Sequence, residues 1–164
     1  MGFTEARCVK CDASGYGGIE MLTLQTSFGE ITYDPEKVIY FPKGLIGFEQ
    51  LRKFVVLPAK KGDVLFSIQS VEEAHVAFLL INPGLFFPDY IVKPGPSDFD
   101  KLGITGKDSY FVMTTITFHK DNTASLNLLA PIIYAPKTDR AIQLVLEGSG
   151  YSTKTPLPTK KPQK

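Results

Sequence analysis

The chain has 164 residues, 43% hydrophobic and 21% charged, which is globular content for one domain with a sizeable core. Eighteen Lys and Arg against 17 Asp and Glu leave a formal charge of +1, so the sequence lacks the basic field from which a nucleic-acid binder draws most of its affinity. The longest apolar run, Val76–Ile81, is far too short to span a membrane, and two cysteines close together cannot staple a fold. With no charged-then-apolar export pattern at the N-terminus, the expected compartment is the cytoplasm.

In chain order, residues 1–20 show no hydrophobic period, contain Gly15, Gly17 and Gly18, and read as a flexible N-terminal extension. Period-2 alternation starts after Met21 with Leu22 and Leu24, then Ile31 and Tyr33, and opens a domain expected over residues 21–152. Val38–Phe41 reads as a strand that runs into Pro42-Lys43-Gly44. Gly44 and Gly47 then flank Leu45-Ile46 as a tight bend, and a short helix is expected at Phe48–Lys53. Val64, Phe66 and Ile68 share one face of the next strand. Val76–Ile81 is apolar on both faces, the mark of a central strand.

Asn82-Pro83-Gly84 punctuates the chain, and a second short helix is expected at Pro96–Leu102 with Ser97 as its cap and Asp98 and Asp100 in its first turn. Tyr110, Val112, Thr114, Ile116 and Phe118 alternate with Phe111, Met113, Thr115 and Thr117. Three more strand-like runs follow: Ala124–Leu128, Ile132–Tyr134 and Ile142–Leu146. Lys120-Asp121-Asn122 and Ala135-Pro136-Lys137 are the turns between them. Residues 153–164 carry Pro156, Pro158, Pro162 and four lysines, and read as a disordered tail. The connections are too short for helical crossovers, so the fold class is all-β and mainly antiparallel. The expected architecture is a small closed or nearly closed β-barrel with one or two short helices, since closure removes sticky edges.

Reactive constellations are scarce. Cys8-Val-Lys-Cys11 supplies two zinc ligands where a structural site takes four, and it lacks the strand-to-helix context of a redox motif. His75 opens an apolar strand and His119 ends one, with no Ser or Cys beside either in the sequence. Glu72-Glu73 and the pair Asp98/Asp100 read as solvated turn acids. The glycines at 15–18 and at 44 and 47 lack the lysine and helix of a phosphate loop. No catalytic, cofactor or metal site is expected, and the chain reads as a binding module rather than an enzyme.

What stands out is aromatic: 12 Phe and 7 Tyr with no Trp. Phe86-Phe87-Pro88-Asp89-Tyr90 is either a loop folded down as a plug or an exposed patch for a partner, and Phe41 and Phe48 admit the same two readings. Phe41, Phe48, Phe86, Phe87 and Tyr90 are therefore the candidate partner-binding residues. A barrel of this kind also admits a small apolar ligand in its interior as an alternative function.

Three stretches carry a resemblance: FGEITYDPEKVIYFPKGLIGFEQ (Phe28–Gln50), LFSIQSVEEAHVAFLLINPGLFFPDY (Leu65–Tyr90) and NLLAPIIYAPKTDRAIQLVLEGSGYSTKTPL (Asn127–Leu157). In this order they resemble the flagellar assembly factor FliW family, from about Met21 to Pro158. Residues 1–20 fall outside the resemblance. Asp139-Arg140-Ala141 stands where the family is more basic, and Thr155 where members often have His. The resemblance implies a cytoplasmic, non-enzymatic barrel that binds flagellin as a chaperone. It also implies capture of the carbon storage regulator CsrA, which lifts repression of flagellin messenger RNA. A monomer is the expected state.

Overall fold

The computed structural model describes residues 7–9, 21–27, 29–58 and 64–158. Among these residues twelve strands and one α-helix follow in order: β1 (Arg7–Val9), β2 (Met21–Thr26), β3 (Gly29–Tyr33), β4 (Ile39–Tyr40), β5 (Lys53–Pro58), β6 (Leu65–Ser70), β7 (Ala77–Ile81), α1 (Pro96–Leu102), β8 (Phe111–Phe118), β9 (Ala124–Leu126), β10 (Ile132–Ala135), β11 (Arg140–Gln143) and β12 (Thr155–Pro156).

Seven of these strands form a ring, β10-β11-β4-β5-β6-β7-β8, with β8 returning to pair with β10. All pairings in it are antiparallel except β11–β4, a single parallel contact at Arg140 and Tyr40. The long β8 makes the ring possible. Its first residues, Phe111–Met113, pair with β10, Thr114 and Thr115 pair with β7, and Ile116–Phe118 pair with β9. β9 and then β12 extend the sheet beyond the ring. The expected all-β, mainly antiparallel barrel is the observed fold, with one parallel junction in an otherwise antiparallel circle.

Side-chain alternation sorts the core. Inward positions, including Ile39, Phe54, Ile68, Leu80, Ile132 and Ala141, pack into one interior cluster. Outward positions are covered separately. On β10 and β11, Ile133, Ala135 and Ile142 pack under Leu102 of α1 together with Val92 and Ile104. On β5, Val55 lies beneath the β2–β3 hairpin, against Leu24 and Tyr33. On β7, β8 and β9, Ile81, Ile116 and Leu126 lie beneath the segment carrying Phe86, Phe87 and Tyr90. A sheet with apolar residues on both faces needs a second layer, and each of these segments provides part of one.

One end of the ring is stoppered by residues 41–51. Leu45 and Leu51 are buried in the interior cluster, and Phe48 packs against it. The expected helix at Phe48–Lys53 is absent. Phe48 and Leu51 sit three apart, which mimics a helical face, but their N–H groups make successive turn bonds to Leu45 and Phe48 as both side chains drop into the barrel. The helix at Pro96–Leu102 is present, although Ser97 does not cap it. Gly95 is the N-cap, Pro96 occupies the first helical position, and Asp98 reaches back to accept from the Gly95 N–H at 2.8 Å.

The paired fold also runs past residue 152. Thr155 and Pro156 pair with Leu126 and Ser125, and Leu157 joins the outer cluster, so residues 155–157 of the expected tail belong to the paired fold. At the other end Arg7–Val9 pairs with Met21–Thr23, inside the stretch expected to be a flexible extension. The remainder of that stretch and residues 159–164 lie outside the described residues.

Gly44 sets the path of the stopper. Its φ is +65°, and a Cβ there would lie 2.6 Å from the Phe48 carbonyl oxygen and 2.7 Å from the Glu49 Cα. Gly47, at φ +85°, has open space around the same position. Left-handed strain alone costs ~1–3 kcal/mol, and Gly44→Ala adds a backbone clash to it. Urea unfolding should therefore show a clearly larger loss of stability for Gly44→Ala than for Gly47→Ala. Equal losses would mean that close packing at Gly44 is not what requires glycine.

Candidate functional site

The five aromatic candidates divide between two places. Phe41 follows β4, donates its N–H to the Arg52 carbonyl at 2.7 Å, and meets Phe54 edge-on with ring centres 5.1 Å apart. At 1% exposure it belongs to the barrel interior. Phe48 is half-buried and packs edge-on against Phe78 at 5.4 Å. Phe86, Phe87 and Tyr90 follow a 3-10 turn at Pro83–Leu85, where the Asn82 side chain accepts from the Gly84 N–H and the Pro83 carbonyl accepts from the N–H groups of Phe86 and Phe87. These three rings join the outer cluster over β7, β8 and β9, each half-buried. The five residues thus form two separate groups, one inside the ring and one outside it.

Sequence reasoning passed over the residues that leave apolar surface in water beside the outer group. Leu80 pairs with Thr115, so Leu79 lies beside Ile116 on the outer face. Leu79 is 39% exposed, Phe118 at the end of β8 is 57% exposed, and Leu85 in the 3-10 turn is exposed as well. The available signal was parity: Leu79 and Phe118 share the face of Ile81 and Ile116, and only part of that face is roofed by the Phe86–Tyr90 segment.

A concave site exists elsewhere. A cavity of about 550 Å³ opens at the barrel end opposite the stopper, between the mouth and the β2–β3 hairpin. Met21, Tyr33, Lys37, Ile39, Val56 and Tyr134 are among its walls. The Tyr134 hydroxyl donates to the Asp139 carboxylate at 2.7 Å, and its ring stacks on Phe111 with centres 6.3 Å apart. The size suits a small-molecule site.

The structure corrects one point of chemistry. Each histidine touches a serine distant in sequence or across a turn: Ser27 Oγ lies 2.5 Å from His75 Nδ1, and Ser125 Oγ lies 2.9 Å from His119 Nε2. Among the described residues no carboxylate hydrogen-bonds either imidazole, so neither pair has the orienting third group that makes a serine nucleophilic. Asp121, in the turn after His119, spends its carboxylate on the Thr123 hydroxyl and N–H, which hold its pKa below the usual carboxylate range. No group of three or more His, Cys, Asp or Glu among the described residues is placed to hold a metal ion. The CxxC motif falls at the edge of the description: Cys8 is seen in the backbone of β1 and Cys11 lies outside the described residues.

Two tyrosines are tuned by burial. Tyr90 donates to the Leu128 carbonyl at 2.7 Å, and burial followed by the neighbouring Tyr151 pushes its pKa well up. Burial, and then the hydrogen bond to Asp139, push Tyr134 from 10.0 to about 12. Both shifts favour the neutral donor in the folded state. The stability they contribute is present below the unfolded tyrosine pKa and is lost as pH rises through the folded one. Denaturant midpoints should fall between about pH 10 and about pH 12, and Tyr134→Phe should make that fall shallower. An unchanged alkaline slope in the variant would show that Tyr134 titrates as it does in the unfolded chain.

The chain was compared with known proteins. A family model described as FliW protein matches residues 23–157. The protein is 50% identical over 141 residues to "Flagellar assembly factor FliW 2" of Desulfotalea psychrophila, covering 86% of this chain and 93% of the relative. It is 49% identical over 136 residues to "Flagellar assembly factor FliW" of Syntrophotalea carbinolica, covering 83% and 97%. Among solved structures, a crystal structure of the flagellar assembly factor FliW superposes with a TM-score of 0.75 at 26% identity, over 84% of this chain and 99% of that one. The match spans the ring, the stopper and the outer layer alike, and the chain belongs to the FliW family of flagellar assembly factors.

Proposed function

We propose that this flagellar assembly factor works by binding proteins in the cytoplasm: flagellin, as a chaperone, and the translational regulator CsrA, whose repression of flagellin messenger RNA it relieves. The observation that carries this reading is the apolar outer face of β7 and β8. There Leu79, Leu85 and Phe118 stand exposed beside the segment that carries the half-buried Phe86 and Phe87. Amphipathic helices lay their apolar side into surfaces of this kind, and flagellin's terminal segments are of that type. Phe41, Phe48 and Tyr90 act in this reading from beneath, by holding the two layers in place.

The switch itself needs only mass action. A protein that engages one partner at a time is withdrawn from the other, and each tenfold change in its free concentration is worth about 1.4 kcal/mol. Catalysis plays no part in this reading, and a monomer suffices because one-at-a-time binding needs no second copy of the chain.

A second reading has one observation in its favour, the cavity at the barrel mouth, which suits a small apolar ligand. A ligand co-purifying in stoichiometric amount by native mass spectrometry would support it.

Calorimetry with the host's flagellin and CsrA tests the protein-binding reading. Phe118→Ser and Phe87→Ala, both melting like the parent, should weaken binding of at least one partner by about tenfold, in the range of a truncated apolar anchor. Unchanged affinity for both partners in both variants would retire the outer face as the docking surface.

A further inference from the structure

The cavity at the barrel mouth carries polar groups that the fold leaves unsatisfied. Tyr33 ends β3 on the side of the hairpin that packs over Val55, and only 9% of it is exposed. Its hydroxyl hydrogen-bonds none of the described residues. Among those residues, Thr114 Oγ1 is the one side-chain polar atom that is both sealed off and without a partner. The Tyr33 hydroxyl is therefore unpartnered without being sealed, and the open space this side chain borders is the cavity. Burial pushes its pKa up, which keeps it a neutral O–H. A buried hydroxyl with no partner is a cost that a bound ligand can remove.

Two carboxylates share the same wall. Asp139 Oδ1 accepts from the Tyr134 hydroxyl at 2.7 Å, and its Oδ2 has no partner among the described residues. Asp34 Oδ1 accepts from the Glu36 N–H at 2.9 Å, as the cap of the 3-10 turn Pro35–Lys37. Both acids are half-buried, and neither takes part in the salt bridges among the described residues, Lys101 with Asp98 and Lys137 with Asp108. Lys37 also borders the cavity, but it is exposed and pairs with neither acid. The described wall thus holds two anions against one cation, with apolar surface from Met21, Ile39, Val56 and Leu57.

Charge selects the ligand. A half-buried carboxylate oxygen with no donor favours a group that brings both hydrogens and positive charge. An anionic ligand would meet two acids, and a purely apolar one would leave Asp139 Oδ2 and the Tyr33 hydroxyl unmet. The volume, about 550 Å³, has room for a hydrocarbon body as well as a head group. We infer that the cavity binds a small amphipathic amine, with the Asp139 carboxylate holding its ammonium, the Tyr33 hydroxyl as a further polar contact, and its hydrocarbon body on Ile39, Val56 and Leu57. The Tyr134 hydroxyl acts through Asp139: by occupying Oδ1 it fixes the carboxylate and leaves Oδ2 to the ligand. This inference rests on the second reading above, of the cavity as a ligand site, and names the head group that the ligand carries.

The test is isothermal calorimetry on the full chain with three probes of one hydrocarbon length: n-octylamine, 1-octanol and octanoate. Octylamine should bind, octanol about tenfold more weakly, and octanoate not measurably. Asp139→Asn keeps an acceptor for Tyr134 and suits the φ of +51° at this position, so it removes the charge and leaves the turn intact. It should cost octylamine about tenfold in affinity and leave octanol unchanged, while Tyr33→Phe costs octylamine a smaller factor. Octanol binding as tightly as octylamine, or Asp139→Asn binding octylamine like the parent, would overturn the amine and leave the cavity a site for apolar ligands. Octanoate binding most tightly would overturn it in favour of an anion on Lys37. Binding of none of the three would remove the inference together with the ligand-site reading.

Discussion

Closure of the ring rests on one residue pairing, Arg140 of β11 with Tyr40 of β4. The Tyr40 N–H donates to the Asp139 carbonyl at 2.9 Å, the parallel step between two strands of two and four residues. A ladder that short has little stability of its own, so its neighbours must hold it. Asp139 adopts φ +51° at the β10–β11 turn, and the Tyr134 hydroxyl grips its carboxylate. Just beyond Tyr40 the chain plunges into the stopper, where Phe41 is fixed to Arg52 and the Ile46 N–H is held by the Gln143 side chain at 2.9 Å. The same Gln143 donates to the Ala130 carbonyl at 3.1 Å, tying stopper, β11 and the chain entering β10 into one unit.

Sealing one end in this way has a functional consequence. The interior is filled by Phe41, Phe54 and their neighbours, so among the described residues the surfaces open to others are the outer layer and the mouth lined by Tyr33, Ile39 and Tyr134. The outer layer is divided into patches, each over a different group of strands. Such a scaffold can leave part of its outer layer bare, as on the apolar face over β7 and β8 where Leu79 and Phe118 are exposed. A factor that serves flagellar assembly through protein partners needs surfaces of that kind, held rigidly.

The strands were legible because alternation is a local property: Phe66 and Ile68 inward against Leu65 outward could be read from four residues of text. The closing contact was not, since Tyr40 and Arg140 meet with most of the chain between them and nothing nearby announces the pairing. The Ser27–His75 contact was hidden for the same reason. The stopper was misread because Phe48 and Leu51 have helical spacing while serving consecutive turns. The aromatic candidates were found but not separable. Composition marks Phe41 and Phe87 alike, and only tertiary placement sends one into the barrel and leaves the other at the rim of an exposed face. Leu79 and Phe118 escaped notice because an apolar residue in a strand reads as core until the covering layer is known to stop short of it.

The account depends on the ring being closed through Tyr40 and Asp139, and amide hydrogen exchange of the intact protein reports on that bond directly. A closed ring predicts that the Tyr40 amide exchanges on the slow timescale of the amides in β5, β6 and β7, opening only with global unfolding. Exchange of Tyr40 as fast as that of exposed loop amides, with β5–β7 still protected, would contradict it and leave an open sheet in place of a barrel.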